Sequence, residues 1–172
     1  MTSHNEWYTP KGYIEPIRKF YGGTIDYDPA SCIKANETIK ARNFSSIDDE
    51  SNPLWWKGNI WCNPPYLKGA DRSWLLLANR YYRDNDDINQ IIMLLNRSTG
   101  AWYHKFLDAH QCGYFQLRDR VKFIDGETGE KSSPRYNNDL IYWGKDSQLF
   151  HEMCVENFGK PTPYSFYTDN EN

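Results

Sequence analysis

Apolar residues recur along the chain in two rhythms, and the two alternate. Over 10–20, "PKGYIEPIRKF" places Tyr13, Ile14, Ile17 and Phe20 at helical spacing. Thr9 is the expected N-cap with Pro10 at the first helical position, and Pro16 lies inside the pattern, where it can delay the helix start. "GGTIDYDPAS" over 22–31 reads as a short strand, Thr24–Tyr27, ending in a turn at Asp28-Pro29. "NIWCNPPY" over 59–66 is an apolar strand stopped by two prolines, which cannot donate to a ladder. A helix is predicted over 69–85, with Trp74, Leu77, Ala78 and Tyr81 on one face. "INQIIMLL" over 88–95 has the unbroken apolar character of a buried parallel strand. Residues 98–110 read as a short helix capped by Ser98 or Thr99, and 113–125 as one bent strand or two short ones. A turn-rich loop follows over 126–138, then a strand over 139–144. The last helix, 146–159, is capped by Asp146 and ended by Gly159.

Strands that alternate with helices predict an open α/β sheet, mostly parallel, with helices on both faces. In such sheets ligands bind beyond the carboxyl ends of the strands. Asp28-Pro29 and Asn63-Pro64-Pro65-Tyr66 both follow a strand, so both are expected at that edge.

The 172 residues suit one domain, 1–172, with a frayed tail over 165–172. A mean hydropathy of −0.84 excludes an integral membrane protein, and the seven Trp, thirteen Tyr and eight Phe exclude a disordered chain. The first residues lack the apolar stretch of a secretory signal, and the four cysteines are scattered without a CxxC pair. Free thiols in a reducing cytoplasm and no metal site are therefore expected. The net charge of −3 conceals an uneven distribution: residues 97–145 carry eight basic and six acidic side chains, and the tail 146–172 carries one and five. The middle of the chain can thus face a polyanion although the whole is mildly acidic.

Asn63-Pro64-Pro65-Tyr66 carries the sharpest chemical signal. A ring-bound amino group is a poor nucleophile because its lone pair is delocalised. The Asn63 carboxamide oxygen and the Pro64 carbonyl can each accept one of its N–H bonds and draw the nitrogen toward tetrahedral geometry. Consecutive prolines hold these acceptors in place before the substrate arrives. Tyr66 offers a flat face on which an extruded base can stack. The bland alternative is a rigid turn with a packed aromatic.

Together with three other segments, this motif resembles the phage-type DNA N6-adenine methyltransferases, the Dam-like enzymes. The segments are Glu6-Trp7-Tyr8-Thr9-Pro10, Asp26-Tyr27-Asp28-Pro29-Ala30-Ser31, and "IIMLLNRSTGAWYHKF" with the later "RVKFI" and "SPRYNNDLIYWG". The resemblance implies a Rossmann-like class I methyltransferase, S-adenosyl-L-methionine as cofactor, and double-stranded DNA as partner, with the target adenine flipped. It makes Asn63, Pro64, Pro65 and Tyr66 the catalytic motif. It places Trp7, Thr9 and Pro10 at the methionine end of the cofactor. Asp28 matches the acidic position after the first strand, with Asp26 a competing assignment. Many amino methyltransferases carry a glycine-rich turn there, and this chain has Pro29-Ala30-Ser31-Cys32 instead.

The remaining candidates are weaker. Asp49, within Asp48-Asp49-Glu50, can meet the cofactor's adenine, or belong to a solvated loop. Trp55, Trp56 and Trp61 read as core or pocket wall. Arg97, Arg118, Arg120, Lys122 and Arg135 can contact DNA, or be solvated surface. A monomer is the expected state. Two alternatives stay open: an amino methyltransferase acting on cytosine N4, RNA adenine or protein glutamine, and an inactive DNA-binding relative.

Overall fold

The computed structural model describes residues 7–46, 55–66, 70–110, 112–132 and 136–160. Eight strands and five helices follow one another as β1 (Trp7–Tyr8), α1 (Lys11–Phe20), β2 (Tyr27–Asp28), α2 (Ile33–Ile39), β3 (Asn43–Phe44), β4 (Gly58–Cys62), α3 (Ala70–Asp84), β5 (Ile88–Asn96), α4 (Ala101–His110), β6 (Gly113–Gln116), β7 (Ile124–Asp125), β8 (Asn138–Trp143) and α5 (Ser147–Phe158). Six strands form one sheet in the order β3-β2-β4-β5-β8-β6. β3, β2, β4 and β5 are mutually parallel, and β8 runs antiparallel to both β5 and β6. The expected open, mostly parallel sheet is therefore present.

Both faces of the sheet are covered. Ile14 and Ile17 of α1, Ala35 and Ile39 of α2, and Phe150 and Cys154 of α5 share one core cluster with Trp61 and Ile92. On the opposite face, α3 and α4 bury Trp74, Leu75, Ala78, Tyr103 and Phe106 against Ile60, Cys62, Ile91 and Met93. Neighbouring residues of β4 and β5 thus point to opposite cores, as the pleat requires. The α3 stripe is set by Leu75, which is fully buried, whereas Leu77 is only partly so.

Several boundaries differ from the sequence reading. The cap of α1 is Pro10, not Thr9, and no side chain closes the helix. Pro10 has extended backbone (φ −63°, ψ 147°), so the helix begins one residue later and leaves the Thr9 hydroxyl free of capping duty. Pro16 is accommodated within α1 and does not delay it. The first strand is Tyr27–Asp28, later than expected, and 113–125 holds two short strands. β1, β3 and α2 were not foreseen. Cys32 caps α2 through Sγ, which accepts from the Ala35 N–H at 3.4 Å. The turn before α2 needs no glycine, because Lys40 is the one non-glycine residue with positive φ among the described residues.

Gly58 opens β4 at φ +68°, and a Cβ there would clash with the Asp26 carboxylate. That gap lets the Asp26 carboxylate accept the Asn59 N–H at 2.9 Å and fix β4 beside β2.

Candidate functional site

β4 and β2 are parallel neighbours, so Asn63 and Asp28 both stand at the carboxyl ends of their strands. The segment 7–10 lies between them. The Asn63 carboxamide donates from Nδ2 to the Trp7 carbonyl at 3.2 Å, and the Cys32 thiol donates to the Tyr8 hydroxyl at 3.5 Å. Pairing of Trp7 with Asp125 and of Tyr8 with Ile124 holds this segment from the other side. Three loops from distant parts of the chain therefore converge at one edge.

That edge holds buried polar atoms with no partner: Thr9 Oγ1, Asp28 Oδ2 and Ser31 Oγ. Thr9 is 2% exposed, Asp28 0% and Ser31 9%. Buried polar groups are nearly always hydrogen-bonded, so unpartnered atoms on these converging segments point to a ligand, with the Ser31 hydroxyl near enough to the Asp28 carboxyl to favour its ionised form. Asp28 Oδ1 is held by the Ala30 N–H at 3.0 Å. Burial raises the Asp28 pKa to about 7, against the smaller opposing effects of the Ala30 N–H and the Ser31 hydroxyl. An acid in this state is ready to ionise when a cation arrives. α1 begins two residues after Thr9, and its first N–H groups favour an anion. The donor set fits an α-amino acid: ammonium at Asp28, carboxylate at Thr9 and the start of α1.

The Asn63–Tyr66 motif is partly buried. Pro64 is buried, while Asn63, Pro65 and Tyr66 are half-buried. Tyr66 was expected to present its face to a base. Here its hydroxyl donates to Asn63 Oδ1 at 2.7 Å, and its ring leans on Phe123 with centroids 5.6 Å apart. Burial lifts the Tyr66 phenol well above its ordinary pKa, helped by the charge of Asp71 and by Cys62. The oxygen assigned to hold a substrate amino group is thus occupied by the motif's own tyrosine.

The other candidates separate. Asp26 precedes β2 and is engaged by Asn59 and by Arg42 at 3.3 Å, away from the converging loops. Asp49 and Arg135 lie outside the described residues. Trp56 and Trp61 are fully buried and Trp55 is 44% exposed. Trp55 borders a separate cavity of about 720 Å³ beside β3, with Arg42, Phe44, Ser46 and Lys57. Arg118, Asp119 and Arg120 form an exposed run after the buried Leu117, with Arg120 Nε donating to Asn137 Oδ1 at 3.1 Å, and Lys122 is exposed between the buried Val121 and Phe123.

Arg97 is committed elsewhere. Its Nε meets Asp139 Oδ1 at 2.7 Å, and its Nη2 donates to the Leu117 carbonyl at 3.0 Å. Tyr103 donates to the second Asp139 oxygen at 3.0 Å, and Asp139 is fully buried. Removing one partner of a buried pair strands the other. Arg97→Ala is expected to cost about 3 kcal/mol of stability, read from urea unfolding. A stability change within about 0.5 kcal/mol would return Arg97 to the solvated surface.

Sequence reasoning missed Ser31, Asp71 and Phe123. Ser31 follows Asp28 by three residues and Asp71 opens the helix after the motif, but neither spacing signals burial.

A family model described as DNA N-6-adenine-methyltransferase (Dam) matches residues 1–155. The chain belongs to the Dam family. It is accordingly an amino methyltransferase, and its sheet is the Rossmann-like one expected of such an enzyme. No curated protein matches the chain. Two solved structures are similar in outline. One is a Pyrococcus horikoshii protein assigned as an RNA methyltransferase, at 12% identity and TM-score 0.43, covering 76% of this chain and 81% of that one. The other is a human methyltransferase 10 domain containing protein, at 12% identity and TM-score 0.41, covering 77% and 80%. Likenesses of this size carry no argument about substrate. Asn63, Asp28, Thr9 and both strands of the β1–β7 pair lie within the matched residues. None of the described helices is long and apolar enough to cross a membrane.

Proposed function

We propose that the protein transfers a methyl group from S-adenosyl-L-methionine to N6 of adenine in double-stranded DNA. The observation that carries this reading is the convergence of two segments on one sheet edge: Asn63 is tied to the Trp7 carbonyl of the segment that holds the unpartnered Thr9 hydroxyl, and Asp28 ends the parallel strand next to β4. The Dam family name supplies the base and the polymer.

When bound, S-adenosyl-L-methionine supplies an electrophilic methyl group on a cationic sulfur. Asp28 takes the ammonium of its methionine end, and Thr9 with the first N–H groups of α1 takes the carboxylate. Phe44 and Ser45, at the end of β3 one strand further out, border the adenosine end, and Asp49 follows the same strand. Asn63 and Pro64 each accept one N–H of the substrate amino group. Held in this way, the nitrogen would carry a localised lone pair, and the proton it sheds on becoming methylated would pass to water. Adenine reaches this pocket flipped from the duplex, and Arg118, Arg120 and Lys122 hold backbone phosphates nearby. Tyr66 turns from Asn63 to lie against the base.

Incubation with methyl-labelled cofactor and unmethylated DNA tests the reading, followed by nucleoside analysis. Label in N6-methyladenine is the expected result. Label in N4-methylcytosine, in RNA or in protein would change the substrate, and no label anywhere would reject turnover.

A further inference from the structure

Asp71 is a half-buried acid that this chemistry leaves without a part. It stands in the first turn of α3, directly after the segment that carries Tyr66. Its Oδ1 is closed off from solvent and has no hydrogen-bond partner. Burial raises its pKa to about 6, and its charge reaches the Tyr66 phenol. A carboxylate oxygen in that position costs stability until something donates to it.

Tyr66 supplies a donor with the complementary need. Its hydroxyl meets Asn63 Oδ1 end-on at 2.7 Å and fills the approach that an incoming amino group requires. When the amino group takes Asn63, the phenol has to leave. A half-buried hydroxyl that gives up one acceptor loses free energy unless another is within reach. Phe123 lies against its ring and offers no polar atom to receive it.

We propose that Asp71 is a positioning residue of the amino-transfer site, its unpartnered carboxylate oxygen receiving the Tyr66 hydroxyl when the substrate amino group displaces that hydroxyl from Asn63. This rests on the reading that Asn63 holds the substrate nitrogen. Tyr66 then has two seats, one on Asn63 in the free enzyme and one on Asp71 in the complex. Moving between them turns the ring from an end-on plug into a side wall of the base pocket. Asp71 touches neither substrate nor cofactor. It lowers the cost of emptying the Asn63 oxygen, so its effect falls on substrate binding and not on the chemical step.

A double-mutant cycle between Asp71 and Tyr66 tests this, with KM and kcat measured on adenine-containing duplex DNA. Asp71→Ala raises KM about tenfold with kcat within about twofold, the size of one lost hydrogen bond. Asp71→Asn keeps a neutral acceptor and falls between. In a Tyr66→Phe background there is no hydroxyl to receive, and Asp71→Ala changes KM by less than about twofold. Equal losses in both backgrounds, or none in either, overturn the proposal. Thermal melting and calorimetric cofactor binding report whether each variant is folded. If Asp71→Ala does not fold, the cycle runs with Asp71→Asn under the same criterion. A wild-type protein that methylates no adenine overturns the functional reading and this inference together. Additive losses in an active enzyme overturn the inference alone.

Discussion

Asn63→Ala reduces methyl transfer by about 100- to 1,000-fold while the sheet stays folded. Removing one preorganised hydrogen-bonding group from a reacting centre costs that much when the group acts chiefly in the transition state. Asn63 follows the last residue of β4, and its side chain is half-buried and makes two hydrogen bonds, to Trp7 and from Tyr66. Losing both costs about 1–2 kcal/mol, well inside the stability of a domain of this size. Cofactor affinity should change little, because Asp28, Thr9 and Ser31 are untouched. Asn63→Asp keeps an acceptor oxygen but gives up the donor to the Trp7 carbonyl, and is expected to retain more activity than alanine. Single-turnover rates together with thermal melts measure both effects. A near-wild-type rate for Asn63→Ala would remove the residue from the chemistry.

Asp28→Asn acts on stability and on cofactor binding with opposite signs. Asp28 is raised from 3.8 to about 7 in the folded protein, with burial as the main cause. The folded state therefore binds this proton more tightly than the unfolded chain does. The stability it contributes is complete below about pH 4 and is lost as pH rises through 7. Asparagine is neutral throughout, so the variant lacks this slope. At pH 8 it should be more stable than the wild type by on the order of 2 kcal/mol in the absence of ligand. Cofactor binding behaves the other way. The ammonium needs the ionised carboxylate, so wild-type affinity weakens as pH falls below 7. Asp28→Asn weakens affinity at least tenfold at pH 7.5 and flattens its pH dependence. Calorimetry and unfolding at pH 5.5 and 7.5 separate the two effects. A variant that loses stability as well as affinity would make Asp28 a structural acid.

The long amphipathic helices and the apolar strands were legible because each has a stripe or run that only burial explains. α3 shows it with Trp74, Ala78 and Tyr81, and β5 with its unbroken run to Leu95. α2 was not legible: Ile33 is 79% exposed, and Ala35 and Ile39 alone are buried over seven residues. β1 and β3 have two residues each, too few for any period to show. The reversal of β8 is equally silent, since its residues are buried throughout whichever way they run. At the site, the motif and Asp28 could be read because their chemistry is local. Arg97 could not, because its partner Asp139 is 42 residues away and sequence shows a charge without its counterion. The contacts of Tyr66 with Asn63 and Phe123 could not be read either, because they depend on how three separate segments pack together.

The short ribbon of β1 with β7 has a kinetic meaning. It brings Trp7 to Asp125, so the chain has to be synthesised past residue 125 before the carbonyl that braces Asn63 is fixed. Closing so long a loop carries a large entropic cost and is repaid by only two residue pairs. The central sheet can form from nearer neighbours, with the ribbon docking afterwards. By the same balance, the ribbon is the place where the native protein should open most readily. Amide exchange at residues 7–8 and 124–125 should then run ahead of exchange in β4 and β5, and each such opening would switch the enzyme off without unfolding it.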